Sequence, residues 1–188
     1  VCFYLVIFLS NIIHGITGFA GTILAMPFGL MLVGYATAKP VLNVLGLLSG
    51  IYVFVGFHDS VNWKELKKIV VVMAAGIVGG ILIRGMLAGR EQMLYRILGI
   101  FVILLSIQGL AKQLQIPGST QRQKDVLIQT HDTPLLYLLL AAAGIIHGIF
   151  VSGGPLLIGY LTRKVRDKVS FRATISTIWI FLNSLILF

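Results

Sequence analysis

Residues 12–27 read IIHGITGFAGTILAMP and residues 145–159 read IIHGIFVSGGPLLIG. Both open on the same pentapeptide, and both lie inside long apolar runs, 1–35 and 134–161, that carry glycine and proline where an unbroken membrane helix would carry leucine. A shift of 133 positions lays His14 on His147, Gly15 on Gly148, Gly21 on Gly154, Tyr4 on Tyr137 and Lys39 on Arg172. Five apolar-rich identities alone could arise by chance in an isoleucine-rich chain. A histidine, glycines and a cation at one common offset point to internal duplication. The expected organisation is a first membrane repeat over 1–111, a polar linker over 112–133 and a second repeat over 134–188 that is incomplete at Phe188.

What the two segments share physically is an interrupted backbone. In hydrocarbon, main-chain groups released from helical bonding must find partners, so a broken helix survives only where protein or enclosed water surrounds it. Gly18, Gly21, Gly153 and Gly154 ease non-helical dihedrals and let a solute approach the main chain. Pro27 and Pro155 lack the N–H that a helix interior uses, and Pro155, directly after Gly154, suits the first turn of a half-helix. A half-helix starting within the membrane presents unpaired N–H groups and a positive dipole end, which attract anions. Interruptions at corresponding places of two halves point to a carrier's solute site. The competing reading is that these glycines only permit close helix packing through small-xxx-small spacing. For Ala75, Gly76, Gly79 and Gly80 in the run AAGIVGG, packing is the preferred reading.

The rest of the chain agrees with a membrane setting. Of its 188 residues 57% are apolar and 11% charged, and the mean hydropathy is +0.97. Soluble domains carry about 25% charged residues, so composition speaks against a dissolved enzyme or nucleic-acid reader. Further apolar runs at 41–57, 69–87, 94–111 and 173–188 approach the roughly 20 residues a helix needs to cross a bilayer. The expected fold is an all-α integral membrane protein, a polytopic helical bundle of two related halves with broken or re-entrant glycine-rich helices. It belongs in the plasma (inner) membrane as a multi-pass protein, with lipid and a small anion as partners, no nucleic acid, and a homodimer left open. The lone Cys2 excludes a disulfide framework within the chain.

The net charge of +9 has a topological reading, since all 15 Lys and Arg lie in or beside connections. Short cytoplasmic loops are rich in these residues. If each glycine-rich segment crosses the membrane, the basic residues divide nine to six between the two sides; if each enters and returns as a hairpin, they divide eleven to four and the two halves are inverted. The larger bias agrees better with the rule.

His14 and His147 are the only ionisable side chains well inside apolar runs, whereas all six acids fall in connections. Intramembrane ionisable groups are functional candidates by default, though a histidine bonded to a neighbouring helix would serve packing equally. Recurrence in both segments favours function, either as hydrogen-bond donor to an anion or as carrier of a coupling proton near neutral pH. Lys39 and Arg172 each stand 25 residues after a histidine, where a cation either draws an anion to the cavity mouth or anchors at the interface by snorkelling. Thr17, Asn43, Ser152, Thr174, Ser176 and Thr177 offer uncharged donors to oxyanion oxygens; helix-to-helix bonding is their other use. No Walker loop, GxSxG or HExxH is present, so no ATP-driven or hydrolytic chemistry is indicated. Two histidines alone are thin grounds for haem or metal, and no cofactor is expected.

Gly18-Phe19-Ala20-Gly21 with Pro27 beyond it, Gly148 through Ser152-Gly153-Gly154-Pro155, and Phe171-Arg172-Ala173-Thr174 together resemble the TauE/SafE family of sulfite and organosulfonate exporters. The likeness spans nearly the whole chain. The resemblance implies two related halves, each opening on a glycine-rich stretch before a proline and followed by a Lys/Arg element, here Lys39-Pro40 and Arg172-Ala173-Thr174. It implies passage of a small sulfur-containing anion, such as sulfite or sulfoacetate, with no prosthetic group. Phe19 and Ala20 stand where the family has glycine, and the two histidines are not a family hallmark. The expected function is a secondary carrier that exports such an anion, held at broken-helix N-termini between the repeats. The competing functions are a passive small-anion channel, a haem- or quinone-binding membrane subunit using the paired histidines, and a structural partner in a larger assembly.

Overall fold

The computed structural model describes residues 2–17, 20–114 and 134–187. Their regular structure is helical: α1 (Cys2–Thr17), α2 (Ala20–Val33), α3 (Tyr35–Phe57), α4 (Trp63–Met86), α5 (Glu91–Leu114), α6 (Pro134–Phe150), α7 (Gly154–Lys164) and α8 (Lys168–Leu187), with a 3-10 turn at His58–Ser60. Both glycine-rich runs are divided between two helices. The 133-residue offset carries the end of α1 onto the end of α6 and the start of α3 onto the start of α8. Pro155 occupies the first turn of α7, as expected. Pro27 does not mark an interruption but lies within α2, where surrounding helices can compensate the missing donor. Most of the linker falls outside the described residues.

Several helices begin earlier than the apolar pattern suggests, at Tyr35 rather than 41, Trp63 rather than 69 and Lys168 rather than 173. A first turn has N–H groups without intrahelical partners, so polar residues belong there. Asn62 accepts the N–H of Glu65 at 3.2 Å, and the Asp167 carboxylate accepts that of Ser170 at 2.7 Å. Between α2 and α3 a single residue reverses the chain: Gly34, at φ 76°, a dihedral glycine adopts without penalty.

Close contacts give the helix directions. Gly21 lies against His14 and Gly29 against Phe3, while Gly153 lies against His147 and Gly159 against Leu139. Rising numbers on one arm meet falling numbers on the other, so α1–α2 and α6–α7 are antiparallel hairpins. α3 and α8 are also antiparallel, since Asn43 meets Asn183 and Gly50 meets Ser176. In contrast, α4 and α6 are parallel, with Gly144 on Met73 and Gly148 on Ile77. In space the counterpart of Gly21 is Gly153, not the aligned Gly154. Each faces a histidine Cβ and the carbonyl four residues before it, Ser10 in one hairpin and Ala143 in the other.

The tightest crossing is α4 on α6. A Cβ on Gly76 would stand 2.5 Å from the Ala141 carbonyl oxygen and 2.9 Å from the Gly144 Cα. Gly80 likewise faces the Ile145 carbonyl, and a Cβ on Gly148 would meet the Ile77 carbonyl oxygen at 2.6 Å. Two small-xxx-small faces, Gly76/Gly80 and Gly144/Gly148, therefore interlock, the arrangement that lets backbones approach where lipid supplies no hydrophobic drive. Gly79 stands aside, its nearest neighbour an Ile145 methylene at 3.9 Å. Ile69, Met73 and Ile77 extend this seam into a core with Leu140, Leu157 and Ile178, and a second core gathers Met26, Leu42, Leu98 and Phe150. Large apolar side chains also face outward, Met31 at 84%, Tyr52 at 83% and Met86 at 83% exposure. Such a surface suits lipid and not water. By length and composition three described helical segments can cross a bilayer, Tyr35–Ser60, Trp63–Met86 and Lys168–Leu187.

At one end of this bundle Glu65 is buried, its Oε2 accepting the Tyr160 hydroxyl at 2.8 Å and its Oε1 the Lys68 ammonium at 3.3 Å. Bonds to charged groups contribute about 1.5–3 kcal/mol. Tyr160→Phe is expected to lower stability by that order, read as a fall in the melting temperature of the detergent-solubilised protein, with Lys68→Met, whose ammonium is partly exposed, falling less.

Candidate functional site

The two hairpins and the α3–α8 pair border a small, partly open crevice lined by His14, Thr22, Gly46, His147, Val151, Trp179 and Asn183. His14, near the end of α1, is 8% exposed, with the backbone of Gly21 pressed on its Cβ; a side chain at Gly21 would push the hairpin arms apart. His147 occupies the matching place on α6 and is 2% exposed. The two histidines, 133 residues apart in the chain, thus line one crevice.

His147 is oriented by α8. Its ring stacks on Trp179 with centroids 5.1 Å apart, and its Nε2 pairs with Asn183 Oδ1 at 3.0 Å. An amide oxygen only accepts, so this pairing sets the proton on Nε2 and leaves Nδ1 as a bare acceptor. Nδ1 is buried without a hydrogen-bond partner, as is Oδ1 of Asn43. The Asn43 amide donates to the main-chain oxygen of Asn183 at 3.0 Å, tying α3 to the part of α8 that holds the histidine. Buried polar atoms without partners are uncommon, and here two lie on or beside one crevice. Gly46 completes the wall, since a Cβ there would stand 2.7 Å from the Asn183 amide nitrogen.

The turn between α6 and α7 supplies Val151, at φ 56°. A β-branched residue in that region is an outlier costing on the order of 1–3 kcal/mol, of the kind found at ligand clamps. Its N–H is bonded to the His147 carbonyl at 2.7 Å, which keeps the strained turn attached to the histidine. The lining carries no side chain with a fixed charge. It offers imidazole nitrogens, an amide, a hydroxyl and an aromatic face, suited to a small solute with polar oxygens.

The other residues singled out from the sequence are dispersed. Gly18 lies outside the described residues, as does the side chain of Thr17. Gly153 caps α7 and packs against Ala143 and His147, with Gly154 following in the first turn. The Ser152 hydroxyl donates to the Phe150 carbonyl at 3.0 Å, and Thr177 back-bonds to Ala173 at 2.7 Å. Thr174 accepts the Asn62 N–H at 2.9 Å, at the start of α4, and the main chain of Ser176 packs on Gly50. Lys39 donates to the Gly148 carbonyl at 2.6 Å and Arg172 to the Gly15 carbonyl at 2.7 Å, so both cations bind main chain. Asn183, Trp179, Thr22 and Gly46 were not among the residues singled out. Asn183 had a legible signal, a lone amide within the apolar run 173–188; the others become visible only through their neighbours.

No curated protein and no solved structure compared with the chain matches it. A family profile does, described as Sulfite exporter TauE/SafE and matching residues 3–188. With that match covering nearly every residue, the chain belongs to the sulfite exporter TauE/SafE family, a family of membrane transporters and not of enzymes.

Proposed function

We propose that the chain is a secondary carrier that exports a small sulfur-containing anion, sulfite or an organosulfonate such as sulfoacetate, across the plasma membrane. The solute sits between His14 and His147. The observation that carries this reading is the convergence of the two histidines, from equivalent places of the two hairpins, on one crevice. Family membership supplies the solute class. The His14 imidazole, the Thr22 hydroxyl and the Asn183 amide N–H can together donate to oxyanion oxygens without a second fixed charge to desolvate, and His147 joins them when a proton occupies its Nδ1.

The membrane topology belongs to the same proposal. Antiparallel arms in α1–α2 and α6–α7 favour segments that enter and return, and antiparallel α3 and α8 favour inverted halves. That topology gathers eleven of the 15 basic residues on the side of Lys64–Lys68 and Arg163–Arg172, which is then cytoplasmic. Inverted halves meeting at a midplane site are the usual plan of secondary carriers.

Proteoliposomes loaded with sulfite or sulfoacetate test the carrier. Flux is expected to saturate and to be accelerated by the same anion on the far side, and His147→Ala is expected to lower it about tenfold or more, the equivalent of 1.4 kcal/mol. Flux unchanged in both His14→Ala and His147→Ala would remove the crevice from the reading; non-saturating flux without counter-transport would make the protein a channel.

A further inference from the structure

The bonds made by Lys39 and Arg172 are related to each other. Lys39 on α3 holds the carbonyl of Gly148 near the end of α6, while Arg172 on α8 holds that of Gly15 near the end of α1. The donors are 133 residues apart, and so are the acceptors. Exchanging the two halves therefore turns one bond into the other. In each, the third helix of one half grips the end of the first helix of the other half, where carbonyls have run out of intrahelical partners. A cation there is also favoured by the helix dipole.

Their position around the crevice is symmetrical too. Gly46 lies seven residues after Lys39 and Trp179 seven after Arg172, about 10 Å along each helix axis. Both line the crevice, and α3 and α8 are antiparallel, so the two grips stand on opposite sides of it. They are not equally strong. Tyr35 adds its hydroxyl to the carbonyl of Ile149, next to that of Gly148, and its ring carries the Lys39 ammonium at 5.7 Å and the Arg84 guanidinium at 5.0 Å. Lys39 is half-buried, whereas Arg172 is exposed.

We propose that Lys39, with Tyr35, and Arg172 are positioning residues of the transport cycle, two exchanged clasps that close the crevice at opposite ends and release in alternation. A hairpin end freed from its clasp leaves carbonyls without partners, which is costly in hydrocarbon; opening one end therefore favours keeping the other shut. The Lys39–Tyr35 clasp is the tighter of the two. The inference rests on the carrier reading but is tested without any solute.

The test uses Thr22→Cys in a Cys2→Ser background, in sealed vesicles of known orientation, with a membrane-impermeant methanethiosulfonate reagent applied from one face or the other. Lys39→Met is expected to speed labelling about fivefold or more from one face and Arg172→Met from the opposite face, the range of an ordinary coupling energy. Lys39→Arg and Arg172→Lys, which keep a donor and the charge, should label like the parent. Tyr35→Phe removes one hydroxyl and no charge; it should speed labelling from the same face as Lys39→Met, by less, and serves where the methionine variants do not fold. Acceleration from the same face by both cation variants, or rates equal to the parent throughout, Tyr35→Phe included, overturns the clasps. Sulfite flux measured in parallel keeps the two readings apart, because sided labelling can switch in a protein that carries no sulfite, and flux can persist in one whose labelling does not.

Discussion

Gly144→Val is expected to abolish the folded protein, and Gly76→Val to do the same. The Cβ of any residue at 144 would fall on the Met73 carbonyl and 2.9 Å from the Gly76 Cα, and one at 76 would lie 2.5 Å from the Ala141 carbonyl oxygen. The obstruction is main chain on both sides, so no side chain can swing clear. Relief requires moving α4 and α6 apart, which opens the seam of Ile69, Met73, Ile77 and Leu140. Forcing extra methylenes into a packed core costs about 1–3 kcal/mol even where side chains can adjust. Two rigid backbones should exceed that, against a total stability of about 5–15 kcal/mol. Size-exclusion profiles of the detergent-solubilised variants should show aggregate in place of a monodisperse peak. Gly79→Ala is the control: its Cβ would meet only Ile145 Cγ1 at 3.9 Å, and the change should leave the melting temperature the same or higher, since alanine favours a helix by up to about 1 kcal/mol over glycine. A well-folded Gly144→Val would show that the crossing is not the seam on which the bundle is assembled.

Asn183→Leu should leave the bundle folded and cost transport heavily. Leucine shares the branched four-heavy-atom outline of asparagine, though it is bulkier, and offers His147 Nε2 nothing, so the ring loses the bond at 3.0 Å that sets its tautomer while keeping the Trp179 face at 5.1 Å. A buried donor left without a partner costs about 1–3 kcal/mol, or roughly 5- to 150-fold in an equilibrium. Flux at low sulfite concentration should fall within that range. Gly46→Ala approaches the same contact from the other side, placing a methyl 2.7 Å from the Asn183 amide nitrogen. Because the amide is the end of a flexible side chain, it can shift, and a smaller loss is expected. Equal flux in Asn183→Leu and the parent would mean that the orientation of His147 is irrelevant to the solute.

Much of the bundle is legible residue by residue. Hydrocarbon demands that each apolar run be helical, and glycine in two of those runs shows where it stops being so, whereas Pro27 stays inside α2; hence the division of both glycine-rich runs, the place of Pro155 in the first turn of α7 and the packing role of Gly76 and Gly80, though not of the exposed Ala75 or of Gly79, could be read directly. Early helix starts were obscured because polar caps such as Asn62 and Asp167 look like loop. The second glycine pair of the crossing, Gly144 and Gly148, was hidden beside the histidine motif that drew attention to that run.

The site was legible only in part, for a physical reason. Composition and the repeated motif single out His14 and His147, because an ionisable group in an oily run is conspicuous wherever the chain later goes. Nothing in the order of residues tells Lys39 and Arg172, expected to face an anion, that they will meet carbonyls 109 and 157 positions away. Nor does it foretell that Asn183 will orient His147 across 36 residues. Local chemistry decides what each segment can be, since the backbone must satisfy itself within a few residues in lipid. Partners for side chains are chosen only when antiparallel hairpins and helices pack, and that choice is a property of the assembled bundle.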